Sequence, residues 1–371
     1  MNRAYCFDRI RVVLTAFVVF HHTAITYGAP GGWYYNEIPL SLSLTGLLLI
    51  LFVSVNQAYF MGFFFLLSGY FTPNSYNRKS LGQFAFDRLL RLGIPLAVFA
   101  FVLDPLTSAL VLSFGKVHLP FWGTFTTHLV RPGWNPGPLW FAEALLIFSA
   151  GYILYRINRK PEPRRMDAPI PGALAWFLSA SAVGIAALLL RQWVPVGESF
   201  AGLQIGYFAS YIFLFALGTV AWQRNWIDRL IWTQARPWLI LSVVLLPVMV
   251  VTGVVSGKLT GHLPNVNSGF SIPAILYAFW EPFVAWGIIA AMLVWFRQHA
   301  NNPSAVWEFL AARAYAVYII HAPVLVAISL LLRGWQAPAL AKVAVTGSLA
   351  CCGSVVAASL LLILPGARRV L

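Results

Sequence analysis

The chain has 371 residues, of which 60% are hydrophobic and only 10% charged, and a formal net charge of +14. Ordinary soluble domains carry roughly 25% charged residues, so this composition excludes a water-soluble globular fold. The positive balance does not point to nucleic acid either. No basic run is interleaved with stacking aromatics as a nucleic-acid groove requires, and Lys and Arg gathered in short loops beside anionic headgroups account for the charge.

Apolar runs of about 20 residues, the length that crosses a ~30 Å hydrocarbon core, recur from end to end. In chain order they predict ten helices: Arg9–Tyr27, Leu42–Tyr70, Leu92–Phe114, Pro138–Tyr155, Gly172–Arg191, Ile205–Trp222, Pro237–Val255, Ile272–Phe296, Val306–Leu332 and Leu340–Leu364. The fold class expected is an all-α transmembrane bundle of about ten spans, one domain over residues 1–371 with no soluble C-terminal domain. The first run lacks a small-residue cleavage site after His21-His22 and reads as a retained span. Cys6, Cys351 and Cys352 give no disulfide framework.

Basic residues set the orientation. Segments on one side, holding among others Arg3, Arg9, Arg78, Arg88, Arg91, Arg156, Lys160, Arg224, Arg297, Arg368 and Arg369, contain 19 of the 25 Lys and Arg. The other side and its flanks hold Lys116, Arg131, Arg191, Lys258, Arg333 and Lys342. Both termini are therefore expected in the cytoplasm, which requires an even number of spans.

Ionisable groups at bilayer depth are expensive and mark candidate sites. Arg11 and His22 stand eleven residues apart, three helical turns plus 20°, so they share one face with a rise of about 16 Å. A guanidinium at the rim and an imidazole near mid-membrane could hold the two ends of one long substrate; snorkelling by Arg11 and a helix contact by His22 are the plainer alternative. Arg88 and Arg91, at i and i+3, are expected on one helical face at the surface, placed either to grip phosphate or simply to anchor the span. Ser68-Gly69 ends the second run and allows a close approach, or is only a helix end. His321 precedes Pro323, which could kink the ninth span and open a pocket. Asp104 and Glu281 read as structural carboxyls. Glu143, beside Trp140 near the outer face, reads equally as structural or functional. Histidines and carboxylates at mid-membrane are what proton-coupled transport of an envelope glycolipid, by a secondary transporter or flippase, would use.

In combination, four stretches resemble the acyltransferase 3 family of integral membrane O-acyltransferases. They are Arg11 with ten residues before His22; Phe64-Phe65-Leu66-Leu67-Ser68-Gly69-Tyr70; Arg88-Leu89-Leu90-Arg91; and Tyr315-Ala316-Val317-Tyr318-Ile319-Ile320-His321-Ala322-Pro323. Softer matches are Pro138-Leu139-Trp140-Phe141 and Phe215-Ala216-Leu217-Gly218 followed by Ala221-Trp222. Where the family has Ser-Gly-Phe, this chain has Ser68-Gly69-Tyr70. The resemblance implies transfer of an acyl group, usually acetyl, from cytoplasmic acyl-CoA to a hydroxyl of an envelope carbohydrate or glycolipid, in a multi-pass protein of the bacterial cytoplasmic (inner) membrane. It implies His22 as the catalytic residue and Arg11, Arg88, Arg91 and Ser68 as donor-binding residues. Glu143, Trp140 and His321 are candidates for the acceptor side, and no metal is expected. The family's C-terminal esterase-like domain, carried by some members, does not follow the tenth span here, so a later acceptor step would fall to a separate protein.

Overall fold

The computed structural model describes residues 5–131, 133–159, 164–261 and 264–371. Arg3 and Lys160, both counted toward the charge asymmetry, lie outside the described residues. The chain is all-helical, and among the described residues no strand forms beyond one isolated bridge between Phe200 and Leu203. The helices are α1 (Tyr5–Thr26), α2 (Leu44–Asn77), α3 (Leu81–Arg88), α4 (Ile94–Val98), α5 (Asp104–Phe114), α6 (Phe121–Val130), α7 (Trp140–Arg156), α8 (Ala173–Leu190), α9 (Phe208–Gln223), α10 (Trp226–Arg229), α11 (Trp232–Thr260), α12 (Ile272–His299), α13 (Ala305–Ala311), α14 (Ala314–Leu331), α15 (Ala339–Leu361) and α16 (Ala367–Val370).

Nine helical stretches among the described residues are long and apolar enough to cross a bilayer. This is a multi-pass membrane protein. All but the first of the ten expected runs are among the nine. α1 has the length, at 22 residues, but Asp8, Arg9, Arg11, His21 and His22 dilute its apolar character. Several boundaries differ from the sequence reading. The second span does not end at Ser68-Gly69 but runs on through Pro73 to Asn77. The third begins earlier, and Leu81–Phe114 is one stretch built of α3, α4 and α5 joined by two π turns, Leu89–Gly93 and Phe99–Leu103. The ninth run divides into α13 and α14, with a break at Ala312-Arg313. α6 is a short helix that no 20-residue window could find.

The chain divides into two units. The first comprises Met1–Ile10, Ser54–Ala85 and Phe148–Asn302, the second Arg11–Val53, Phe86–Ile147 and Pro303–Leu371. In the first, α12 is the central helix, with 72% of its apolar window buried, whereas α11 has only 6%. Within it Arg191, 1% exposed, pairs with the buried Glu281 and lies 4.8 Å from the Tyr277 ring. That pairing answers the question raised by a carboxylate at depth, because an isolated buried charge is far costlier than a paired one. The central helix of the second unit is α14, 67% buried, which packs on α5 and α15. Without water there is no hydrophobic drive between spans, so close packing and interhelical hydrogen bonds hold these helices together.

Candidate active site

The candidate residues Arg11, His22, Arg88, Arg91, Trp140, Glu143 and His321 all belong to the second unit. α1 is unbroken from Tyr5 to Thr26, so Arg11 and His22 do share a face, about 16 Å apart along the axis. Of the two adjacent histidines His21 is buried at 6% exposure, while His22 is half-buried and therefore reachable.

His22 and His321 meet. Nδ1 of His22 lies 3.1 Å from Nε2 of His321, and Nδ1 of His321 lies 2.6 Å from the Tyr318 carbonyl oxygen. A carbonyl only accepts, so Nδ1 of His321 carries a proton. In a neutral imidazole its Nε2 is then an acceptor. His22 must donate to it from Nδ1, which leaves the lone pair of His22 on Nε2. The proton positions follow from the partners, and they end in one unprotonated imidazole nitrogen on the accessible histidine. His321 itself is fully buried.

Trp33 covers the pair. Its ring stacks on His22 at 3.9 Å and 12°, and lies 6.1 Å from His321 at 14°. The loop after α1 carries it there by folding back, with the backbone amides of Glu37 and Ile38 donating to the Thr26 carbonyl. Gly28 and Gly31 provide the reversal at φ of 115° and 143°, values that other residues rarely adopt. The Trp33 indole nitrogen is buried with no hydrogen-bond partner. Next along the loop, Tyr34 donates to Asp104 Oδ1 at 2.6 Å, and Asn135 donates to the same oxygen at 2.7 Å. Burial, with the Asp104 carboxylate beside it, pushes the Tyr34 hydroxyl above its ordinary range, so it remains a donor. Asp104 is thus a fixed structural acceptor.

α14 ties these parts together. Tyr315, Tyr318 and His321 recur every three residues along one side of the helix. Tyr315 donates to the Arg91 carbonyl at 2.7 Å, Tyr318 donates to the Pro138 carbonyl, and His321 holds His22. Pro138 precedes Trp140 and Glu143 on α7. Glu143 is half-buried, with Oε2 lacking a partner. Pro323 lies inside α14, which continues through it to Leu331.

Two expectations change. Arg91 stands in the Leu89–Gly93 π turn, which winds more residues per turn than an α-helix. Arg88 ends α3 and Arg91 falls inside the turn, so the two do not stand on one continuous α-helix. Arg91 is exposed and Arg88 half-buried. Ser68 is a residue of the first unit, in mid-helix. The small step after it serves packing between helices: a Cβ on Gly69 would fall 2.1 Å from the Phe215 carbonyl oxygen, and one on Gly218 2.2 Å from that of Leu66. Among the described residues no group of three or more His, Cys, Asp or Glu is arranged to hold a metal.

Trp33, Tyr315 and Tyr318 were not singled out as site residues from the sequence. The Tyr-x-x-Tyr-x-x-His spacing was the available signal for two of them. Nothing local marks Trp33, which reaches His22 only through the loop reversal.

The family model of the acyltransferase domain, Acyl_transf_3, matches residues 4–364. The chain belongs to this family. It is a membrane acyltransferase, which decides between acyl transfer and the transport reading, and the match covers residues of both units. No curated protein and no solved structure matches it.

Proposed function

We propose that the protein transfers an acyl group, acetyl in the simplest case, from acyl-CoA to a hydroxyl of an envelope carbohydrate or glycolipid, with His22 as the general base. The observation that carries this reading is the ordered chain from the Tyr318 carbonyl through His321 to His22, which leaves Nε2 of His22 free to accept a proton. That nitrogen takes the proton of the acceptor hydroxyl as its oxygen attacks the thioester carbonyl. The new C–O bond forms, the C–S bond breaks, and the imidazolium returns the proton to the departing thiolate. Trp33 and His321 fix the plane of the His22 ring, so its lone pair is aimed before substrate arrives.

Arg11, Arg88 and Arg91 supply cations for the donor's phosphates. The axial distance of about 16 Å between Arg11 and His22 suits a long thin pantetheine arm reaching inward from that charge. Glu143, with its unpartnered Oε2, and Trp140 are assigned to the acceptor side, a carboxylate for sugar hydroxyls beside an aromatic surface. In this reading both units form one acyltransferase domain, and the bacterial cytoplasmic membrane brings cytoplasmic donor and envelope acceptor to opposite faces of one bundle.

The test is mass spectrometry of envelope glycans and lipids from cells carrying wild-type protein, His22→Ala or His21→Ala, all fed isotope-labelled acetate. Labelled O-acetyl ester is expected with wild type and His21→Ala and absent with His22→Ala at equal membrane abundance. Equal labelling with His22→Ala removes the proposed base; no labelled ester in any strain removes the acetyl-transfer reading.

A further inference from the structure

The first unit contains a cavity of about 280 Å³ bounded by α8, α9, α10 and α12. We infer that it holds an acyl chain of an anionic glycerophospholipid, whose headgroup sits at an arginine-ringed end. This site is independent of the histidine pair and of the proposed reaction.

Its walls decide the chemistry of the chain. They are apolar, among them Phe213, Leu217, Ile289 and Leu293, and the few polar groups are already satisfied. The Trp286 indole donates to Ser179 Oγ at 2.9 Å, and Ser179 in turn donates to the Trp176 carbonyl at 2.8 Å. No lining side chain among the described residues keeps a buried polar atom without a partner. A polar ligand would find nothing to bond, whereas a hydrocarbon chain would fill a space that is otherwise void. Along α12 the wall from Leu293 to Trp286 rises about 10 Å, within one ~15 Å leaflet.

One end carries the charge. Arg297 donates to the carbonyls of Ile227 and Leu230, both lining residues. Arg224 is exposed and stands 5.3 Å over the ring of Trp226, another lining residue. Arg229 donates to the Ala168 carbonyl at 2.6 Å, and Arg164 to that of Trp222 at 3.0 Å. Within 164–168, 222–230 and 297 the carboxylates are Asp167 and Asp228, and Asp228 acts on Arg297, so these four arginines outnumber them. The hydrogen bonds named for Arg297, Arg229 and Arg164 go to neutral carbonyls, which fix those guanidiniums without neutralising them. A fixed cationic rim above a hydrocarbon slot matches an anionic amphiphile.

The experiment uses the full-length protein in nanodiscs of equal phosphatidylglycerol and phosphatidylcholine, released into native mass spectrometry. Wild type is expected to retain one phosphatidylglycerol. Leu217→Trp, which fills the cavity, is expected to lose it, and Arg224→Gln to cut the anionic preference about fivefold, the effect of one interfacial basic residue. Because Leu217→Trp can also disturb packing, wild type is photolabelled in parallel with a phosphatidylglycerol bearing a diazirine on its acyl chain. Label on peptides containing Leu217 or Ile289 supports the site. Equal retention of both lipids, unchanged retention by Leu217→Trp, or label confined to α11 overturns it. Displacement by palmitoyl-CoA or a polyprenyl phosphate, but not by added phosphatidylglycerol, assigns the slot to a substrate chain and overturns it equally.

Discussion

At the scale of the residue, the distinction between His21 and His22 is one of neighbours. Adjacent on one helix, they point about 100° apart; His22 meets the His321 imidazole and a stacked indole, while His21 stands edge-on to His22 at 5.5 Å. His321 is a positioning residue in this arrangement, since its Nε2 accepts the Nδ1 proton of His22 and so selects the tautomer. Replacing His321 by Leu removes that acceptor, and kcat for acyl transfer is expected to fall on the order of 10²-fold while KM for the donor stays near wild type. His321→Gln keeps an oxygen acceptor and is expected to lose less. Steady-state kinetics on both variants check this; equal losses, or a loss confined to KM, would make the pair a packing contact. His22 was legible in the sequence by its depth and its register with Arg11. Its partner was not, because 299 residues separate the two rings, and nothing in a linear pattern pairs a histidine on the first helix with one on a helix near the end. The same holds for Arg191 and Glu281: the carboxyl was visible at depth, Arg191 read only as a flanking charge at a span's end, and the two pair only through the fold.

At the scale of the element, α14 acts as the spine of the second unit, and its three polar contacts fix three different segments. The Tyr315 hydroxyl holds the carbonyl of Arg91 and with it the Leu89–Gly93 π turn. The sequence predicted a helix here but not its winding, since a π turn depends on hydrogen-bond partners rather than on apolar periodicity. If the arginines bind donor phosphates, the planar guanidinium matters and not merely its charge. Binding of a CoA analogue to purified protein should then weaken in Arg88→Lys or Arg91→Lys, with expression and insertion unchanged. Tyr315→Phe, which leaves both arginines in place but frees the turn, should weaken it as well. Calorimetric titration at low and moderate salt measures all three. Wild-type affinity in both lysine variants would reduce the arginines to topological anchors.

At the scale of the whole molecule, the open quantity is the parity of the spans. Among the described residues nine stretches qualify as spanning by length and composition, and α1 is the tenth only if it crosses despite Asp8, Arg9, Arg11, His21 and His22. Ten crossings put both termini on one side, nine put them on opposite sides, so locating both ends decides the role of α1. We expect reporters at the N-terminus and after Leu371 to read cytoplasmic, and one near Gly261 to read extracytoplasmic; opposite signals from the two termini would leave α1 out of the count. A tag between Arg159 and Arg164, which falls outside the described residues, is expected on the cytoplasmic side. The bundle itself was legible because hydropathy at the 20-residue scale is a strong signal. The division into two units was not, because it follows no composition shift. Four of its five boundaries fall inside helices, in α1, α2, α3 and α7, and one in the loop before α13. This has a consequence for synthesis. A ribosome delivers the segments alternately, so the first unit is incomplete until Asn302 has emerged and the second until the final helix has. Each unit must wait through stretches that belong to the other, and fragments cut at any single loop would each contain an unfinished part of at least one unit. Partly made chains must therefore be sheltered in the membrane until late in translation, with His22 inserted among the first residues and His321 arriving among the last.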